Sequence, residues 1–240
     1  MEKIKQMKTK YGPFFVMKND LIGRHFFRGR WYEDRIINIL KKYIKPNTNV
    51  LDIGSNIGVH TIPYAKKDSS IIVHSFEPQS FIFNNLLKKN VQINKLNNVK
   101  LYNNAVGHEN IKTHMSKFDQ KGNLLNYNNN KVVNFGGQKI GLDGEEVNMI
   151  SIDSLNIKNI SLVKIDVEGF EKLVIYGMRE TLKREKPVIF YEEFFNIKNI
   201  KTDIKIDKKI FKFNITNFLK DELNYKIFKK IGHNILCLPN

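Results

Sequence analysis

Cysteine is nearly missing from this chain. A single one, Cys237, stands among 240 residues, which excludes an internal disulfide and any cysteine-built metal cluster. A reducing, cytoplasmic setting is the expectation that follows. Long apolar runs are missing too, for none approaches the roughly 20 residues that a membrane-spanning helix needs. The opening Met-Glu-Lys-Ile-Lys-Gln-Met-Lys is charged and lacks the apolar core of a secretion signal. Acidic residues are the scarce charge: 24 Asp and Glu face 40 Lys and Arg, for a net charge of +16. That balance favours anionic partners, whether nucleic acid, a nucleotide-sugar or an anionic polymer. Yet Lys, Asn and Ile are abundant in every segment, the bias an AT-rich genome imposes on any protein, and this reading ranks ahead of specific nucleic-acid binding. The histidines are scattered without ligand spacing, so no metal is demanded.

What is present is a globular composition, 41% hydrophobic and 11% aromatic, long enough to bury one sizeable core. Residues 1–47 read as an N-terminal segment with a lead-in helix over 32–44, where Ile36, Ile39, Leu40 and Tyr43 keep helical spacing. Pro46-Asn47 ends it. Residues 48–240 then read as the main domain. Strands are predicted at 50–53, 71–77, 99–102, 162–166 and 188–192, and helices at 57–67, 81–93 and 169–184. Such alternation predicts an α/β fold, a mostly parallel, doubly wound sheet with helices on both faces. Helix-like spacing returns at 208–219. Strands at 225–231 and 234–238, split by Gly232-His233, predict an antiparallel C-terminal hairpin. Residues 108–147 interrupt the alternation. They are polar and rich in Gly and Asn, with a short strand expected at 132–135. The segment reads as an acceptor-side insertion or as a surface excursion.

The stretch Asn49-Val-Leu-Asp-Ile-Gly-Ser-Asn-Ile-Gly58 is a strand, an acid at its end, a glycine turn and a helix start. Gly54 and Gly58 permit backbone angles and close ligand approach that a side chain forbids. The new helix is expected to offer unpaired amides to an anionic ligand group. Its spacing fails the dinucleotide pattern G-x-G-x-x-G. It resembles instead the first motif of class I S-adenosylmethionine-dependent methyltransferases, a Rossmann-like fold.

Four further segments sharpen that resemblance: Phe76-Glu-Pro-Gln79, Asn90-Val-Gln-Ile-Asn-Lys-Leu-Asn-Asn-Val99, Asn104-Ala-Val-Gly107 and Val163-Lys-Ile-Asp-Val-Glu-Gly-Phe-Glu171. With the Gly54 turn, in this order, they resemble the FkbM family of methyltransferases. Met149-Ile-Ser-Ile-Asp-Ser-Leu155 and Gly29-Arg-Trp-Tyr-Glu33 fit the same pattern. The likeness spans roughly residues 28–195 and departs from it in 108–147 and in the basic stretch beyond Asn196.

The resemblance implies S-adenosylmethionine as cofactor, held by Asp52, Gly54, Ser55, Asn56, Gly58, Glu77, Pro78, Asn104 and Ala105. Glu77, twenty-five residues after Asp52, stands where an acid in Rossmann-type folds accepts from both ribose hydroxyls. Asp52 is expected to orient the glycine turn and the methionine end, or else to be satisfied by turn amides. Asn104 and Ala105 are expected beside the adenine. Thr61 reads as a surface or packing residue ahead of a cap or cofactor contact, and His60 as a helix-surface residue. Asp166, Glu168 and Glu192 are the catalytic candidates, at strand ends where open α/β sheets bind ligands. Glu168 with Glu171 could instead form a capping-box-like pair. Clustered carboxylates raise one another's pKa and leave one poised as a base. The implied reaction is O-methylation of a sugar hydroxyl in a glycan, glycolipid or nucleotide-sugar. The alternatives are RNA ribose O-methylation and a basic nucleic-acid-binding protein that keeps the fold without catalysis.

Overall fold

The computed structural model describes residues 3–119, 121–127, 133–192 and 202–240. Its centre is a seven-stranded sheet. Five parallel strands lie in the order β11 (Val188–Glu192), β10 (Ile160–Ile165), β3 (Asn49–Ile53), β4 (Ile72–Phe76) and β5 (Val99–Tyr102). The hairpin β12 (Tyr225–Ile231) and β13 (Asn234–Pro239) extends it antiparallel beyond β11. Every residue of β10 is buried, as parallel strands covered on both faces require. Alternate residues feed two cores. Val50, Val73, Leu162 and Phe190 pack with α3 (Thr61–Ala65), α5 (Lys88–Ile93) and the N-terminal segment. Leu51, Ile53, Val163 and Ile189 pack with α7 (Glu171–Tyr176) and α8 (Arg179–Glu185).

Four predicted elements change shape. The helix foreseen at 57–67 is regular only over Thr61–Ala65, because Asn56 (φ 49°) and Gly58 (φ 93°) sit in the left-handed region and the Ile57 amide bonds its neighbour's Asn56 Oδ1. The helix foreseen at 169–184 breaks at Gly177-Met178. A Cβ at Gly177 would meet the Gly107 carbonyl oxygen at 2.0 Å, so the strand end at 107 occupies the groove there. Asp153 then caps α8 from outside, accepting from the amides of Glu180 and Thr181. The helix foreseen at 208–219 is likewise interrupted, into α9 (Lys208–Lys212) and α10 (Ile215–Asn217). The expected strand at 132–135 is replaced by an isolated bridge at Val133 and a tight 3₁₀ turn, Phe135–Gly137; Val132 lies outside the described residues.

Two features were not predicted. The first 47 residues begin with a hairpin, β1 (Ile4–Thr9) and β2 (Gly12–Met17), followed by α1 (Leu21–Phe27), ahead of α2 (Asp34–Leu40), which lies within the lead-in helix foreseen at 32–44. Asn90, fully buried, ties that hairpin down: its Oδ1 accepts from the Phe15 amide at 2.6 Å, and its Nδ2 donates to the carbonyls of Phe15 and Ile57. The polar insertion forms a second sheet, ordered β6 (Ala105–Val106), β9 (Glu146–Ile150), β7 (Ile111–Asp119) and β8 (Gln138–Gly141). Its apolar side packs Met115, Val147 and Met149 on Phe170 and Leu173 of the α7 region and on Ile204 and Ile210. Part of the basic stretch beyond Asn196, through residue 201, lies outside the described residues.

Candidate active site

A cleft of about 920 Å³, mouth included, opens beyond the carboxyl ends of β10, β3 and β4. Its floor is the glycine turn. A Cβ on Gly54 would meet the Asp166 carbonyl oxygen at 1.8 Å, so only glycine lets the tips of β3 and β10 close together. The amides of Gly54 and Ser55 both donate to the Phe76 carbonyl, at 3.0 and 2.9 Å, and the Gly58 amide to the Ser55 carbonyl. With Asn56 bound to Glu77 and Ile57 to Asn56 Oδ1, the turn spends its own amides. The turn's amides, from Gly54 to Gly58, are therefore not the unpaired donors expected at this helix start.

Glu77 closes one side. Its Oε2 accepts from the Asn56 amide and its Oε1 from the Gln79 amide, each at 2.9 Å. Each oxygen keeps a lone pair for a ligand hydroxyl. Burial pushes its pKa up to about 7, against the pull of those two amides. Pro78, Asn104 and Ala105 line the same end. Asn104 Nδ2 donates to the Asn148 carbonyl at 3.2 Å.

Asp52 and Gly58 stand apart from the cleft lining. Asp52 is fully buried beneath the turn, where Thr61 Oγ1 donates to its Oδ2 at 2.5 Å and Lys164 Nζ lies 3.8 Å from its Oδ1. It braces the turn through Thr61 and has no direct reach into the cleft.

The other side is acidic around one cation. Lys164, buried, donates to the Gly54 carbonyl and to Asp166 Oδ2, both at 3.1 Å. Burial works against its charge, yet Asp166, Asp52 and Glu33 together raise its pKa. Burial likewise opposes ionisation of Asp166, but the Lys164 ammonium and hydrogen bonds from Lys164 and Glu192 hold its carboxyl below the ordinary value. Glu192 goes the other way, to about 8, through burial and then the Asp166 charge. Glu168 reaches about 9 through burial and the charges of Asp166, Glu192 and Glu171. It sits in the left-handed region at φ 57°. Asp166 and Glu168 line the cleft, and Glu192 stands behind, hydrogen-bonded to Asp166. The cap position of α7 falls on Phe170 rather than Glu168, without a side-chain cap bond, and Glu171, the first helical residue, reaches back, its Oε1 accepting from the amides of Val167 and Gly169.

Several cleft residues lie outside the predicted set. Tyr32 and Glu33 come from the start of α2, and Asn134, Gly136, Gln138 and Lys139 from the insertion. His60, expected on a helix surface, is buried: Nδ1 pairs with the Tyr64 hydroxyl and Nε2 with Glu33 Oε2, each at 2.8 Å. The Gly29–Glu33 motif was the available signal for Tyr32 and Glu33. Nothing local marks residues 134–139, which arrive only through sheet pairing. Gln79 joins them to the floor. Its Nε2 donates to the Phe135 carbonyl, and its Oε1 accepts from the Tyr127 hydroxyl, each at 3.0 Å. Among the described residues, no group of three or more His, Cys, Asp or Glu is placed to hold a metal ion, and no helix is long and apolar enough to cross a membrane.

Residues 52–227 match the model of the methyltransferase FkbM domain. No curated protein matches the chain. Among solved structures, the FkbM methyltransferase of Methylobacillus flagellatus is 14% identical at a TM-score of 0.49, over 84% of this chain and 49% of that one. The chain thus spans about half of that relative's length. A putative rRNA-methylase from Clostridium thermocellum is 12% identical, TM-score 0.49, over 85% and 91% of the two chains. M. jannaschii TYW2, in complex with AdoMet, is 15% identical, TM-score 0.49, over 99% and 84%.

Proposed function

This chain belongs to the FkbM methyltransferase family, whose cofactor is S-adenosylmethionine, and on that premise we propose that it methylates a sugar hydroxyl. The observation that carries this reading is Asp166 at the cleft wall, paired with Lys164 at 3.1 Å and hydrogen-bonded to Glu192 behind it. The cofactor supplies a methyl group made electrophilic by its sulfonium.

The residues present fit that group. Gly54 leaves room for close approach, and Glu77 can accept from both ribose hydroxyls while its amide bonds keep it aimed. Ala105 admits a flat ring beside Asn104, whose Oδ1 is the atom available to an exocyclic amine. Asp166 then faces the acceptor hydroxyl and takes its proton as the oxygen attacks. Glu192, which donates its own proton in a hydrogen bond to Asp166, keeps that carboxylate ionised until the acceptor's proton arrives. A positioned carboxylate contributes about 10²–10⁴-fold. Alignment of oxygen, methyl and sulfur supplies up to about 7–11 kcal/mol. Residues 134–140 of the insertion form the acceptor-side wall.

A second acceptor, RNA ribose, draws support from the net charge of +16. One assay separates the readings: full-length protein with labelled S-adenosylmethionine and a panel of sugars, nucleotide-sugars and capped RNA. Label in the sugar fractions is the expected result. Label confined to RNA replaces the acceptor, and cofactor binding without transfer to any fraction removes the enzymatic reading.

A further inference from the structure

The methionine end of the cofactor carries an ammonium and a carboxylate, and each needs a partner once it leaves water. With the ribose at Glu77, on β4, that tail runs across the Gly54 turn on β3 toward β10. The sheet order β10-β3-β4 fixes the direction. Along this path the amides from Gly54 to Gly58 are already engaged. Asp166 is committed to Lys164 and Glu192. Among the described residues, no lysine or arginine lies in ion-pair contact with Glu33.

Glu33 is nonetheless well fixed. His60 Nε2 holds its Oε2 at 2.8 Å, and the Tyr64 hydroxyl holds His60 Nδ1 at 2.8 Å. A neutral ring serves both contacts, donating from Nε2 and accepting at Nδ1 from the hydroxyl. The neighbouring Trp31 is anchored by its indole N–H to the Val59 carbonyl at 3.2 Å, so the segment that carries Glu33 is pinned to the loop that carries His60. The Glu33 side chain keeps 25% of its surface exposed, while that of His60 keeps 4%. A buried donor therefore orients a carboxylate that remains open to the cleft, with Oε1 available for a ligand.

We infer that Glu33, oriented by His60, is the binding group for the α-ammonium of the cofactor's methionine. The inference rests on the S-adenosylmethionine reading. It assigns Glu33 to the amino-acid part of the ligand alone, since the nucleoside lies at the Glu77 end. Losing a charge-assisted hydrogen bond then weakens ligands that carry the ammonium and leaves the others alone.

Calorimetry on the full chain tests this with two ligands: S-adenosylhomocysteine, which keeps the amino acid, and 5′-methylthioadenosine, which lacks it. Glu33→Gln is expected to weaken the first by on the order of tenfold to a hundredfold and to leave the second unchanged. His60→Gln is expected to weaken the first by less, since the carboxylate stays but loses its orientation. Equal weakening of both ligands by Glu33→Gln, or of neither, overturns the assignment. An unchanged thermal midpoint separates this from a folding defect. If the unmutated chain binds neither ligand, the cofactor reading itself fails, an outcome distinct from a Glu33 variant that behaves like the parent.

Discussion

The floor and the roof of the cleft are built in opposite ways. The floor consists of strand ends: Gly54, Glu77 and Asp166 each follow a parallel strand of the large sheet within two residues. Their placement is inherited from buried backbone hydrogen bonds. The roof is assembled from distant chain segments. Asp20 accepts from the amides of Ile22, Gly23 and Phe135, Gln79 grips the Phe135 carbonyl, and Tyr127 stacks between Phe81 and Phe135 at centroid distances of 4.0 and 4.7 Å. On the proposed reading, the unchanging cofactor sits on the half set by strand ends. The variable partner faces the half held by side chains.

The sharpest way to break this division is Asp166→Asn. Turnover is expected to fall by about 10²–10⁴-fold while affinity for S-adenosylhomocysteine stays near that of the parent; single-turnover kinetics and calorimetry read the two quantities. A parallel loss of affinity would make Asp166 a cofactor residue.

Next in size, Glu77→Ala is expected to weaken S-adenosylhomocysteine by on the order of tenfold to a hundredfold. The same variant carries a pH signature. The Glu77 pKa is raised from 4.5 to about 7 in the folded chain, so between those values the folded state keeps a proton that the unfolded chain has lost. Stability therefore declines as pH rises through that window. Denaturation series at several pH values should show a shallower decline in Glu77→Ala. An equal slope would mean that Glu77 is not desolvated as described.

The smallest effect belongs to the roof. Tyr127→Phe removes one hydroxyl bond to Gln79 and is expected to cost about 0.5–1.5 kcal/mol in urea unfolding. It should leave cofactor affinity unmoved and raise the KM for the acceptor. A loss of cofactor affinity as large as that of Glu77→Ala would erase the distinction between the halves.

The same division explains what could be read from the chain. Strand β11 falls where Pro187 opens an apolar run, and β12 where Gly232-His233 closes it, because buried parallel strands and tight hairpins leave local signatures. Asp166 and Glu77 were visible as acids closing apolar runs. The second sheet was not visible: β7 alternates Lys, Thr, His, Met and Ser, and its apolar side is defined only by the α7 region it covers. His60 was misplaced because the turn at Asn56 and Gly58 rotates it inward, away from the face a regular helix would give it. Asp52 held the expected position in sequence, yet its burial under Thr61 depends on Ser75 and Lys164, which come from other strands.

The cleft gathers carboxyl groups inside a strongly basic chain. Glu33, Glu77, Asp166 and Glu168 line it with only Lys139 and Lys164 among its lysines, inside a protein of net charge +16. On the proposed reading, an ionised carboxylate such as Asp166 attracts a sulfonium and not the neutral thioether left after methyl loss. Each cycle of that reaction would discharge part of its own grip, tilting the exchange of spent for fresh donor without any moving part.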